Sequence, residues 1–281
     1  MPNLRDIRRR IKSVKSTQQI TKAMKMVAAA RLRKVQEKLN TFKKYSDSLN
    51  LIIERVLPLY KKINHPYFRR DGVRKRLVII VGGDRGLCGS YNSHIIEEFL
   101  KYGGKANLLI IPVGARIISS IKKFNLEILS SFSNIFKDFE KIPSGEIFSL
   151  AENSFLSGEV QEVFLLSARF YSMGKTPVVF EKLLPLESKK EEPSVEYIFD
   201  PPFEILAGQI IERFIKTKIH QVLIESYLAE QFARMASMEL ATKNAEDMIQ
   251  SLTLFYNRMR QASITKELIE IVSGAQALRN K

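Results

Sequence analysis

The sequence predicts an α/β protein in which a long antiparallel coiled coil of N- and C-terminal helices is joined to a small α/β domain with a largely parallel sheet. Three observations carry that prediction. From Asn3 to Leu57 there is neither glycine nor proline, and none again between Gly208 and Gly274. Both stretches carry apolar residues at alternating steps of three and four. Between them, apolar runs of strand length alternate with helix-like stretches. The resulting boundaries are 1–60 for the first helix, 61–204 for the middle domain and 205–281 for the last helix.

The first helix opens after Pro2, with Asn3 as N-cap and Asp6 as a capping-box analogue, and Pro58 ends it. Its seam runs Leu4, Ile7, Ile11, Val14, Gln18, Thr21, Lys25, Ala28, Leu32, Val35, Leu39, Phe42, Ser46, Leu49, Ile53 and Val56. At the helical rise this spans on the order of 80 Å, more than a compact domain covers. Much of it must therefore pack on another helix or inside another protein. At Gln18, Thr21 and Lys25 the seam turns polar, while Ile20, Met24 and Val27 place apolar surface one position away. Two readings fit: a local shift of the partner helix, or a stretch that faces a different molecule, with Met24 as an adaptable contact.

The middle domain begins with Arg76–Val81, an apolar run closed by Gly82-Gly83, which reads as a buried strand. A helix over Ser93–Tyr102, a strand over Asn107–Ile111, helices over Ala115–Phe124 and Gly145–Leu156, and a strand over Val163–Leu166 follow. Pro177–Phe180 and Val195–Phe199 read as later strands joined by the charged loop Glu187–Glu192.

Pro201-Pro202 suit the start of the last helix. Its seam is read as Ile215, Ile219, Val222, Ser226, Ala229, Ala233, Ala236 and Leu240, whose small residues allow close approach. Both helices attach to the same domain, so they run antiparallel if they pair. The last one, about 75 residues and 110 Å, is expected to project beyond its partner.

Composition narrows the function classes. The chain of 281 residues is 45% hydrophobic, which excludes a mainly disordered protein. Lys and Arg number 45 against 30 acids, and residues 1–60 alone hold fifteen against four. That excess is either a solvated helix face or the complement of an acidic partner. A single cysteine excludes an internal disulfide framework. No apolar run approaches the roughly 20 residues of a membrane span, and the N-terminus has no secretory-signal pattern.

Gly82–Ser90 lies between strand and helix, where phosphate-binding loops sit, but it lacks the Gly-Lys-Ser/Thr ending and the dinucleotide glycine spacing. A tight, conformationally demanding turn explains it better. Cys88 reads as a structural thiol, and His65, His94 and His220 show no metal-ligand spacing. No catalytic constellation, metal site or cofactor is expected.

Three segments in order, Arg9–Ala30, Gly83-Asp-Arg-Gly-Leu-Cys-Gly89 and Tyr256–Gly274, closely resemble the γ subunit of F-type ATP synthase. The resemblance spans both ends and the middle of the chain. It implies a non-catalytic central-stalk rotor. The two helices would form a shaft inside the ring of α and β subunits, and the middle domain a foot against the ε subunit and the membrane c ring. Proton flow through the c ring would turn the shaft and set nucleotide affinities at the β sites. Matched to the family motifs, Arg260 and Gln261 correspond to positions that hydrogen-bond a β-subunit loop, and Met24 and Lys25 to the region facing the acidic C-terminal loop of β. Ile264, Leu268, Ile271 and Val272 would lie in the apolar bearing at the shaft tip, and Tyr197 and Phe199 near the c ring. The implied location is peripheral, on the cytoplasmic face of the cell membrane, with contact to the bilayer only through the c ring. The chain lacks the cysteine-bearing insertion of plant chloroplast versions, and Cys88 alone excludes that disulfide switch.

Two other classes compete. A basic coiled coil binding nucleic acid fits the charge of the first helix, but no reading module and little aromatic interleaving accompany it, so no nucleic-acid partner is expected. An α/β enzyme built on the glycine-rich turn would need a catalytic set that the sequence lacks.

Overall fold

The computed structural model describes residues 4–62, 65–68, 72, 75–103, 107–137, 141–172, 176–187 and 198–279. The elements in order are α1 (Leu4–Val56), β1 (Lys75–Val81), α2 (Tyr91–Gly103), β2 (Asn107–Val113), α3 (Ala115–Ile121), β3 (Glu127–Ile128), α4 (Ser144–Leu156), β4 (Glu162–Ala168), β5 (Val178–Leu184) and α5 (Phe203–Arg279). Two units emerge: unit 1, residues 1–28 with 235–281, and unit 2, residues 29–234.

Unit 2 is built on a five-stranded sheet of order β3-β2-β1-β4-β5. The β1–β2, β1–β4 and β2–β3 pairs are parallel, and β4–β5 is antiparallel. The central strands are apolar along their length because both faces are covered. Val78, Ile80, Leu108, Ile110 and Leu166 pack with Tyr91, Ile95 and Phe99 of α2, Ile117 and Ile121 of α3, and Ala229 of α5. The alternate residues Leu77, Ile79, Leu109, Val163 and Leu165 are buried as well. Pro112 sits inside β2, opposite Ile80. It is tolerated because β3 ends at the partner of Ile110, leaving that edge of β2 without a regular neighbour.

Within unit 2, α1 and α5 run antiparallel. Ser46 donates to Gln221 Oε1 at 2.7 Å, the Arg213 guanidinium donates to the Tyr45 hydroxyl at 2.8 Å, and the rings of Phe42 and His220 lie 4.9 Å apart. Tyr60 anchors the far end by donating to the Ala207 carbonyl. Burial without an opposing charge pushes the Tyr60 phenol well above its ordinary value, which keeps it a donor. Within unit 1 the same direction holds. Thr242 donates to Thr21 at 2.9 Å, and Lys25 meets Glu239 at 2.6 Å.

Every predicted seam position of α1 from Leu4 to Val56 is buried or half-buried, including the polar ones. The α5 seam needs correction. Ile215 to Ala229 are buried as expected, but Ala236 and Leu240 are exposed, and Met238 and Ala245 take the inward positions instead. The inward face of α5 thus changes register after Ala233, where small side chains provide little to hold a heptad phase.

Smaller differences have local causes. The first α-helix ends at Val56, and a 3₁₀ helix, Leu57–Lys62, carries the chain through Pro58. The stretch predicted helical to Phe124 is α-helical to Ile121 and 3₁₀ beyond. The last helix, drawn to the end of the sequence, continues through Gly274 to Arg279. The two-residue strand β3 has no counterpart among the predicted elements, being too short to show as an apolar run. Asn3, most of the Glu187–Glu192 loop and most of Val195–Phe199 lie outside the described residues.

Candidate functional site

Four groups of residues are singled out by sequence, and the structure treats each differently. The polar break in α1 lies in unit 1 and is matched on α5. Thr21 accepts from Thr242 and donates to the Gln18 carbonyl at 3.0 Å, while Lys25 pairs with Glu239. The break is thus a polar layer in a helix pair, as in coiled coils where a polar residue sets register. Met24 is half-buried beside it, and Ile20 and Val27 project outward at 58% and 52% exposure.

Continuing the pairing of Thr21 with Thr242 one-for-one brings Leu4 opposite Met259. From there onward α5 has no described α1 residue to pack on. Arg260 and Gln261 begin this stretch, both exposed, and neither side chain forms a hydrogen bond or ion pair among the described residues. Ile264, Leu268, Ile271 and Val272 follow at i, i+4, i+7 and i+8, which is one helical face, and lie 49–67% exposed. A contiguous apolar face in water marks a surface meant to be covered. Met24 and Lys25 are not gathered with Arg260 and Gln261. They sit about 20 residues apart along α5, on the order of 30 Å. Of the foot residues, Phe199 is half-buried with its ring 4.9 Å from Phe203, and Tyr197 lies outside the described residues.

The glycine-rich turn belongs to unit 2. Gly82 donates to the Val113 carbonyl and Gly83 to Asn92 Oδ1, both at 2.9 Å. These N–H groups face inward and leave no cradle for a phosphate at that point. Asp84 accepts through Oδ1 from the backbone N–H groups of Ala115 and Asn134, both at 2.9 Å. A Cβ on Gly114, which has φ +105°, would meet the Gly82 carbonyl oxygen at 2.5 Å, so only glycine fits this contact. Cys88 is buried and receives a hydrogen bond from Asn92 Nδ2 at 3.3 Å. Burial, then the neighbouring Glu230 carboxylate, pushes its thiol upward, consistent with an inert structural cysteine.

Sequence reasoning missed what holds this turn to α5. Arg234 donates to the carbonyls of Arg85 and Gly86 at 3.3 and 3.4 Å and pairs with Glu230 one helical turn earlier. Both side chains are buried. Burial raises the Glu230 carboxyl above its ordinary value despite the attraction of Arg234. Tyr91 adds a hydrogen bond to the Ser226 carbonyl at 2.8 Å. The available signal was an acid–base pair at i, i+4 flanked by Ala229 and Ala233 on a face otherwise apolar. Among the described residues there is no cluster of metal-ligating side chains.

A family model described as ATP synthase matches residues 3–278. The chain is 40% identical over 283 residues to the ATP synthase gamma chain of Pelotomaculum thermopropionicum, covering 99% of this chain and 100% of that one. It belongs to the ATP synthase gamma-chain family. The gamma chain of Desulforamulus reducens is 38% identical over 282 residues, with 99% and 100% covered. Among solved structures, the central stalk and c-ring of Tetrahymena thermophila mitochondrial ATP synthase superposes with a TM-score of 0.63 at 26% identity, over 79% of this chain and 99% of that one. A chain of the Euglena gracilis mitochondrial ATP synthase assembly of OSCP, F1 and c-ring gives 0.66 at 17% identity, over 98% and 94%, and shares the fold. Family membership accounts for the long terminal helices flanking a mostly parallel sheet.

Proposed function

We propose that this chain is the non-catalytic central rotor of a proton-translocating ATP synthase, turning with the c ring and transmitting its angle to the catalytic sites of the β subunits. The observation that carries the reading is the end of α5: an apolar face from Ile264 to Val272 that no described residue covers, preceded by Arg260 and Gln261, whose side chains are uncommitted among the described residues. An apolar sleeve formed by α and β subunits suits the former. A carboxylate-bearing loop of β suits the latter, because a guanidinium fork binds carboxylates in two parallel hydrogen bonds. Met24 and Lys25 would meet the acidic C-terminal loop of β, and Tyr197 and Phe199 would lie towards the c ring, with the ε subunit on the same domain. No helix among the described residues is long and apolar enough to cross a membrane. That fits a peripheral subunit on the cytoplasmic face, held to the membrane through the c ring.

The mechanism is a coupling free energy. A helix pair with different side chains on each face presents a different surface to each of three β subunits, and shaft angle and nucleotide occupancy bias the same conformational equilibria. The chain needs no reacting group or cofactor for this role.

The test is reconstitution with α and β subunits and single-particle rotation under ATP, then proton pumping in the full complex. Losing a charge-assisted hydrogen bond costs about 1.5–3 kcal/mol. Replacing Arg260 and Gln261 together by Ala is therefore expected to lower torque or the protons pumped per ATP several-fold. Unchanged rotation and pumping would refute the assigned contact.

A further inference from the structure

Strand β5 closes one end of the sheet in unit 2, and its outer edge has no partner strand among the described residues. The Arg169 N–H donates to the Pro177 carbonyl at 2.9 Å, which makes these two a hydrogen-bonded pair. The ladder continues antiparallel with Val178 opposite Ala168, Val179 opposite Ser167, Phe180 opposite Leu166, Glu181 opposite Leu165 and Lys182 opposite Phe164. Hydrogen-bonded and non-hydrogen-bonded pairs alternate in such a ladder, so the backbone groups of Val179 and Glu181 face β4. The N–H and C=O groups of Val178, Phe180 and Lys182 face outward, and no described backbone group meets them.

Both faces beside that edge are apolar and incompletely covered. On one, the rings of Tyr102, Phe180 and Phe164 form a stack with centroids 4.8 and 4.7 Å apart, and Tyr102 at its end is 57% exposed. On the other, Ile53, Leu57, Leu183, Leu186 and Phe214 line a cavity of about 300 Å³ that Glu181 also borders. A charged residue on an edge strand ordinarily repels an incoming strand. Here both charges are matched within the chain: Glu181 pairs with Arg169 and with Lys218 at 2.9 Å, and Lys182 with Glu162 at 2.8 Å and Glu187 at 3.5 Å.

We propose that the β5 edge receives an extended, uncharged segment of a partner protein as a sixth strand. Main-chain hydrogen bonds to Val178, Phe180 and Lys182 hold it, and its alternate side chains select it. Residues opposite one another in a ladder point to the same face. A side chain opposite Glu181 therefore turns towards the cavity, and one opposite Phe180 lies against the aromatic stack. A β-branched or aromatic residue suits each position. An ionised side chain suits neither, because the counter-charges at this edge are already taken and its desolvation goes uncompensated. A second copy of the chain fits poorly, since antiparallel pairing about Phe180 sets Val178 opposite Lys182 and Val179 opposite Glu181. The rotor reading assigns β5 no contact, so the two stand or fall separately.

Calorimetric titration of the full-length chain tests this, with a blocked nonapeptide alternating Thr with Val, Phe and Ile as the probe. A second probe of the same sequence is methylated at every backbone nitrogen, which removes the ladder donors and keeps the side chains. Saturable binding of the first is expected, with the second weaker by about tenfold or more. Val178→Pro removes one outward N–H and spares the inward ladder. It should weaken binding about threefold or more, as should Leu57→Trp, which fills the cavity. Leu156→Ser removes an exposed apolar side chain elsewhere in unit 2 and should change binding less than about twofold. No saturable binding below about 1 mM, equal affinity for the two peptides, or equal loss in all three variants would overturn the proposal. Tighter binding of the peptide with Asp in place of Phe would do the same, as would self-association of the chain that the peptide does not reverse. Should a variant fail to fold, the methylated peptide still decides.

Discussion

Unit 2 and unit 1 use the same kinds of apolar residue with opposite outcomes. In unit 2, Leu77, Ile79, Ile95, Ile117 and Ile147 have no exposed surface at all, because sheet, helices and α5 cover one another. In unit 1 the buried apolar positions are Ile7, Ala28, Met238 and Ala245, while Ile20, Val27, Leu254 and Leu268 lie more than half exposed. Two helices can cover only one stripe of each other, so the remaining apolar residues are left to solvent or to a partner. Unit 2 therefore completes its own core, and unit 1 carries surface whose burial requires another molecule.

The contrast can be broken by substitution. Ile80→Ala opens a cavity in the sheet core and is expected to cost about 2–5 kcal/mol in denaturant unfolding. Met238→Ala should fall at or below the lower end of that range, because its surroundings can collapse or admit water. Equal losses would erase the distinction. Buried charge sharpens it further, since unit 2 holds two carboxylates displaced in opposite directions. Burial alone would raise Glu162, but hydrogen bonds from Lys182 and Arg76 hold it below its ordinary value. Glu162 therefore contributes stability above its unfolded pKa, lost as pH falls through the folded value. The raised Glu230 behaves oppositely, its contribution fading as pH rises through its folded value. Urea unfolding of Glu162→Gln and Glu230→Gln between about pH 3 and 8 should thus show differences from the parent that slope in opposite directions, the Glu162 slope at the acid end.

Smaller effects are expected in unit 1. A double-mutant cycle on Lys25 and Glu239, a partly exposed pair, should return no more than about 1 kcal/mol of coupling. Ile264→Ser with Leu268→Ser should shift the stability of the free chain by no more than about 0.5 kcal/mol per site, yet impair rotation in the assembled complex. A large loss in the free chain would mean that this face is already covered within the molecule.

How much was legible in the sequence follows the same division. The α1 seam was readable to its last position because large apolar residues recur in phase from Leu32 to Val56 on an uninterrupted helix, and the polar members kept that phase. The α5 seam was readable only to Ala233, since alanines fit either register and the partner decides between them. The four longer strands of unit 2 were visible as apolar runs, but the antiparallel sense of β5 was not, because direction depends on the connection. Glu230 and Arg234 escaped notice because charged residues on a helix are ordinarily solvated, and only the docked turn reveals their burial. For Arg260 and Gln261 the motif marked the position, and the structure adds that both side chains are free of intramolecular bonds among the described residues.

The stretch of α5 beyond Met259 has a mechanical consequence. About 20 residues of isolated helix are only marginally stable in water, so in the unassembled chain this segment should exchange its amide protons soonest among the α5 turns. Enclosure would stiffen it, which makes the surrounding ring part of what keeps the axle straight.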